Sequence, residues 1–323
     1  MLYPLTFQPI FKERVWGGRK LERLFGKKLP PGIPIGESWE ISDRPGDATV
    51  VTNGPLAGKD LHWLVQNHRQ KLLGDANLHS DRFPLLVKLL DAQEKLSLQV
   101  HPPDAKAAEL GGDPKTEMWV IADAEPDAEL YVGLKRGVTK KTFEQKVRDG
   151  NVADCFHRIR VKAGDVMFLP SGRVHAIGAG LVLFEIQQNS DTTYRVFDWN
   201  RKGLDSKPRE LHVAESLASI DFSDFEPSLV QTAFNGRAGW KQRQLVDHSL
   251  FLVEEWRLEN SVKVPLHQQR MQIIACLGGE LRVSAEDATV DLTAGKFCLV
   301  PACANQPEVS TEAGASLLRA EAR

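Results

Sequence analysis

Along most of this chain apolar residues either alternate with polar ones or run together in short blocks that end in glycine, proline or aspartate. Alternation buries one face of a β-strand and an unbroken apolar block buries both. Residues 83–91 (FPLLVKLLD), 95–100 (KLSLQV), 118–124 (MWVIADA), 129–134 (ELYVGL), 157–170 (HRIRVKAGDVMFLP) and 180–188 (GLVLFEIQQ) read as strands in this way. Helical spacing is rarer: 59–74, 139–150 and 206–220 are predicted helices, the last with Pro208 near its start. Many evenly spaced strands with few helices predict a mainly β fold, a sandwich or jelly-roll barrel with peripheral helices.

From about residue 222 the periodicity lapses, and strands resume in 249–259 (SLFLVEEWRLE), 271–284 (MQIIACLGGELRVS) and 296–302 (KFCLVPA). The expected organisation is a β domain over 1–222, a linker over 223–240 and a second β unit over 241–323. The two units look related. AGDVMFLPSGRVH at 163–175 aligns without a gap with AGKFCLVPACANQ at 294–306, and EMWVIAD at 117–123 aligns with RMQIIAC at 270–276.

Of the 323 residues 42% are hydrophobic and 26% charged, enough apolar material for a sizeable core. A net charge of −2 supplies no field for nucleic acid or an anionic membrane, so an anionic partner is expected to be a small molecule held by a local cluster of Lys and Arg. No apolar run approaches the ~20 residues of a membrane span, and the N-terminus lacks a basic-then-apolar export signal. Cys155, Cys276, Cys298 and Cys303 have no metal or redox spacing and read as reduced packing residues of a cytoplasmic protein.

The strand LSLQVHPP (96–103) carries Gln99 and His101 two residues apart, so both side chains point to one face while Leu98 and Val100 point to the other. Glu117 stands at the entry to the next strand. In GDVMFLPSGRVHAIG, the spacing of Gly164, Pro170, Gly172 and His175 resembles the second signature of the cupin barrel, in which a tight turn sends a histidine into the barrel. Gln99, His101, Glu117 and His175 together offer two imidazoles, a carboxylate and an amide oxygen. That donor set suits one divalent transition ion, most often zinc, with positions open to water or substrate. In the repeat these four positions fall on Pro265, His267, Arg270 and Gln306. Of the two barrels, only the first is then expected to bind metal.

Six motifs in order, WGG (16–18), GESWEIS (36–42), FPLLVKLLDAQEKLSLQVHP (83–102), KTEMWVI (115–121), PSGRVHAIG (170–178) and EIQQNSDTTYRVFDWNR (185–201), resemble type I mannose-6-phosphate isomerase in its shorter bacterial form. The resemblance implies two cupin jelly-roll barrels and a zinc-dependent aldose–ketose isomerase acting on mannose 6-phosphate and fructose 6-phosphate. It places the metal ligands on Gln99, His101, Glu117 and His175, and the active-site arginine on Arg195, with Asp191 also matching. Ser97, Lys115 and Lys88 match residues tied to the substrate phosphate or the reacting centre. Pro114 stands where longer members carry a histidine. Because a guanidinium is a permanent cation, Arg195 is expected to stabilise negative charge or orient a hydroxyl, while Lys115 would bind phosphate or shuttle a proton at a lowered pKa. Trp16 and Trp39 are expected to wall the sugar pocket. Two rival readings of the same residues are an iron-dependent dioxygenase, whose facial site also uses two His and a carboxylate, and a sugar-phosphate sensor without turnover. Monomer and homodimer are both compatible with the sequence.

Overall fold

The computed structural model describes residues 2–76, 81–286 and 288–323. Among the described residues its strands form two large sheets and two two-stranded ladders before residue 200, and a still larger sheet after residue 234. The six-stranded sheet runs Val166–Leu169, Glu117–Ala124, Leu181–Gln188, Leu85–Ala92, Ile35–Ile41, Ile10–Gly18. The five-stranded sheet runs Phe156–Arg160, Glu129–Leu134, His175–Ile177, Leu98–Val100, Tyr194–Phe197. All these neighbours are antiparallel. The fold is mainly β, as the alternation predicts.

The period of two decides which face each side chain takes. Val87 and Leu89 point outward into a core that also holds Leu64 and Leu72 of helix Leu61–Leu73 and Phe251, Ile273, Leu299 and Leu318 of the C-terminal sheet. Leu90, one residue on, points inward, where it packs with Trp119 and Leu183 of its own sheet and Leu130, Val132 and Ile177 of the five-stranded one. A third cluster, with Phe143, Phe156, Val174 and Ile220, covers the outer face of the five-stranded sheet. Each such Leu or Phe contributes ~1.5–3 kcal/mol on burial. The site lies between the first two sheets, in the polar gap that this packing leaves.

Three expectations change. The run 157–170 is two strands: Phe156–Arg160 belongs to one sheet and Val166–Leu169 to the other, and a turn with Gly164 at φ +89° carries the chain across. The helix predicted from 206 begins only at Val213, because Ser206 sits at φ +63° and Pro208 bridges back to Lys202. Helices Leu61–Leu73 and Lys140–Arg148 form as predicted, with the side chains of Asp60 and Thr139 accepting from the backbone N–H of Trp63 and Thr142. The repeat is also shifted. The paired row Lys88, Glu185, Trp119, Met167 recurs in the C-terminal sheet as Glu254, Arg319, Ile274, Cys298. Glu117 faces Leu169 as Gln272 faces Val300, so the counterpart of Glu117 is Gln272, not Arg270. A slip of two residues keeps every side chain on its face, so alternation alone does not separate the two alignments. Residues 223–240 lie against the first sheets: Leu134 N–H donates to Asp224 O and Val230 N–H to Val166 O, and Asn235–Arg237 pairs with Trp240–Asp247.

Candidate active site

Gln99 is paired across the five-stranded sheet with His175 on one side and Arg195 on the other, so three polar side chains share one patch of its inner face. His101 follows at the strand end, where Pro102 and Pro103 lack the N–H needed to continue the ladder. Glu117 enters from the opposite sheet. His175 is aimed by the turn Pro170–Arg173: Gly172 takes φ +90°, Arg173 N–H donates to Pro170 O, and Gly172 N–H donates to His101 O. Arg173 fixes that turn from outside through two 2.8 Å bonds to Asp224.

His101, Glu117 and His175 are buried and bring one donor atom each within 4.8 Å of one another. His101 Nδ1 lies 2.8 Å from Thr192 O and His175 Nδ1 lies 2.9 Å from Arg173 O. Each ring therefore carries its proton on Nδ1 and turns the Nε2 lone pair inward. Those Nε2 atoms stand 3.6 Å and 3.4 Å from the two oxygens of Glu117. Neither oxygen has a hydrogen-bond partner of acceptable geometry, although Lys115 Nζ is 2.7 Å from Oε2. A buried carboxylate left short of donors beside two inward lone pairs is the arrangement a divalent cation satisfies. Burial, reinforced by Lys115, pushes His101 down to about 3, and burial likewise lowers His175, so both rings are neutral and able to ligate near pH 7. Burial alone would raise Glu117, but the charge of Lys115 outweighs it and holds the carboxylate ionised.

Gln99 places its amide beside this trio, with Nε2 3.3 Å from His175 Nε2 and Oε1 3.5 Å from Ser97 Oγ. Turning the amide by half a rotation exchanges N and O without moving the heavy-atom positions, which makes the oxygen the inward donor.

The trio adjoins a cavity of about 540 Å³ lined by Trp16, Lys88, Ser97, Gln99, Lys115, Asp191 and Arg195, all expected from the sequence. Trp39 is the exception. It is buried behind Glu37, to which its indole N–H donates at 2.6 Å, and under Lys88 at 5.1 Å from the ring, so it supports the wall in place of forming it. Lys115 also departs from expectation: burial acts to lower it, but Glu117 and Glu185 prevail and raise it, so it is a firm cation. Arg195 donates to Glu210 O at 2.9 Å, and its Nε is buried without a partner.

Sequence reasoning missed Arg14, Glu37, Glu185, Arg209 and His212 on the cavity wall. Glu185 carried a visible signal, a lone carboxylate inside the apolar run LVLFEIQQ. Its Oε1 accepts from Trp119 Nε1 at 2.9 Å and its Oε2 lies 3.3 Å from Lys88, yet burial, with Glu117 adding to it, raises its carboxyl above the ordinary range. Glu37 goes the other way: burial would raise it, but Lys88 and Arg14 bring it down to about 2.

The model of the phosphomannose isomerase type I catalytic domain matches residues 5–116. Mannose-6-phosphate isomerase ManA of Bacillus subtilis is 37% identical over 300 residues, covering 92% of this chain and 93% of the relative. The crystal structure of the mannose 6-phosphate isomerase from Bacillus subtilis superposes with a TM-score of 0.90 at 32% identity, over 99% of both chains. A zinc-bound holo mannose 6-phosphate isomerase, at 16% identity and a TM-score of 0.77 over 99% of both chains, shares the fold. Identity above one third along nearly the whole length, together with this site, means that the chain belongs to the type I phosphomannose isomerase family.

Proposed function

We propose that this chain is a metal-dependent aldose–ketose isomerase that interconverts mannose 6-phosphate and fructose 6-phosphate. The observation that carries the reading is the under-bonded Glu117 carboxylate between two inward imidazole Nε2 atoms, at the base of a cavity lined by Lys88, Lys115 and Arg195. Gln99, His101, Glu117 and His175 would hold one zinc ion, for which N and O donors of this kind are suited; another divalent transition metal fits the same set. When bound, that ion supplies Lewis-acid polarisation of the substrate's C1 and C2 oxygens.

The protein's own groups do the rest. Moving the carbonyl between C1 and C2 requires a proton to leave the carbon beside it, and the negative charge that develops on oxygen must be stabilised. Arg195 and Lys115 are fixed cations on the wall, and they take that charge-stabilising role. Glu185, a buried carboxyl on the cavity wall that burial raises, is assigned the transfer between C2 and C1. Ser97 Oγ and Lys88 Nζ are assigned to the phosphate and Asp191 to a sugar hydroxyl, with Trp16 presenting its ring to the sugar. The test is a coupled assay: protein stripped with chelator and reloaded with zinc is given mannose 6-phosphate and followed for fructose 6-phosphate. Turnover restored by zinc is expected; no turnover with any divalent ion would exclude the reading.

A further inference from the structure

The C-terminal sheet repeats the inner face of the six-stranded sheet with its charges exchanged. Where Lys88 faces Glu185, Glu254 faces Arg319, and where Glu117 stands opposite Leu169, Gln272 stands opposite Val300. Arg319 is fully buried. One side of its guanidinium is fixed by Glu254 Oε2, which lies 3.0 Å from Nε and 2.8 Å from Nη2. The other nitrogen, Nη1, donates to Gln272 Oε1 at 3.0 Å and to Glu321 Oε1, and lies 3.3 Å from His267 Nδ1. His267 Nδ1 is itself 2.8 Å from Glu321 Oε1. An amide oxygen, a carboxylate oxygen and an imidazole nitrogen thus converge on one point. They are the donor classes that Gln99, Glu117 and His101 bring to the first site, and here the point is taken by a charged nitrogen.

We propose that Arg319 is a built-in cation filling a latent divalent-metal site formed by His267, Gln272 and Glu321. Glu321 and Glu254 are carboxylates withdrawn from water, and such groups persist only with a positive partner. A guanidinium holds its charge at any working pH and cannot be removed by a chelator, so this half of the chain keeps its fold without an ion. The inference stands on the C-terminal residues and does not depend on the proposed isomerisation.

The test separates the two sites by starting from the His101→Ala/His175→Ala protein, in which the first site is dismantled. Zinc retained after dialysis is counted by elemental analysis, and cobalt is used as a spectroscopic substitute. The starting protein should retain none; adding Arg319→Ala should bring retention to about one ion per chain, and adding His267→Ala as well should abolish it. Adding Arg319→Lys to the starting protein keeps a cation in place and should retain none. If Arg319→Ala folds only when zinc is present, the ion has replaced the guanidinium and the proposal holds. A variant that folds but retains no ion, or that fails to fold even with zinc, overturns it.

Discussion

Replacing Lys115 by methionine keeps most of the side chain's unbranched stem and removes its charge. Lys115 and Glu117 are both buried, 2.7 Å apart, so the change strands a carboxylate beside two neutral imidazoles. Breaking a buried ion pair from one side costs ~3–5 kcal/mol. With an unfolding entropy of ~2.1 cal/mol/K per residue, a loss of ~4 kcal/mol lowers the Tm of a chain of this length by ~6 °C if it unfolds as one unit. A divalent ion at the same carboxylate returns the missing charge. In the wild-type protein the same ion must first displace Lys115 from Glu117, so zinc should stabilise Lys115→Met more than it stabilises wild type. The assay is calorimetry of both proteins in chelator and in excess zinc. Equal zinc-induced rises in Tm would refute the reasoning, since Lys115 and the ion would then not compete for Glu117.

Other predictions follow from neighbouring groups. His175→Ala should weaken zinc retention by more than the ~10–100-fold typical of changes behind the ligands, read by elemental analysis after dialysis. Arg195→Ala should keep its zinc and lose ~10²–10³ in kcat, as expected for one charge-stabilising donor; loss of the ion instead would move Arg195 out of that role. Glu185→Gln should also keep zinc while losing ~10²–10⁴ in kcat, the range of a proton-transfer group, and a pH–rate profile of unchanged magnitude would sink the assignment. Glu37 is depressed to about 2, so its stabilising contribution of ~3 kcal/mol is complete above the ordinary carboxylate range and disappears as pH falls toward 2. Glu37→Gln should therefore flatten the acid limb of the urea midpoint between about pH 4.5 and 2.

What the sequence made legible was anything fixed by local spacing. Gln99 and His101 on one strand face, and His175 after a glycine that must turn, are consequences of geometry within a dozen residues. Strand Glu129–Leu134 has the bounds its alternation predicts. What escaped was set by partners distant along the chain. Glu185 becomes part of the cavity only because Trp119 and Lys88 flank it from neighbouring strands, and Trp39 leaves it because Lys88, its partner on the next strand, lies over its ring. The rise in Lys115 is of the same kind, since it depends on Glu185 as well as on nearby Glu117. The pairing of Gln272 with Val300 settles a register that two alignments satisfied equally in one dimension.

Both imidazoles are oriented by main-chain oxygens, those of Thr192 and Arg173. Every amino acid brings the same carbonyl, so the identity of residue 192 can drift without disturbing the aim of His101 provided the path of the backbone survives, whereas residue 173 must also keep the guanidinium that ties its turn to Asp224. Divergence within such a lineage is thus expected to reshape what surrounds the donors, and hence substrate preference, long before it loosens the grip on the ion.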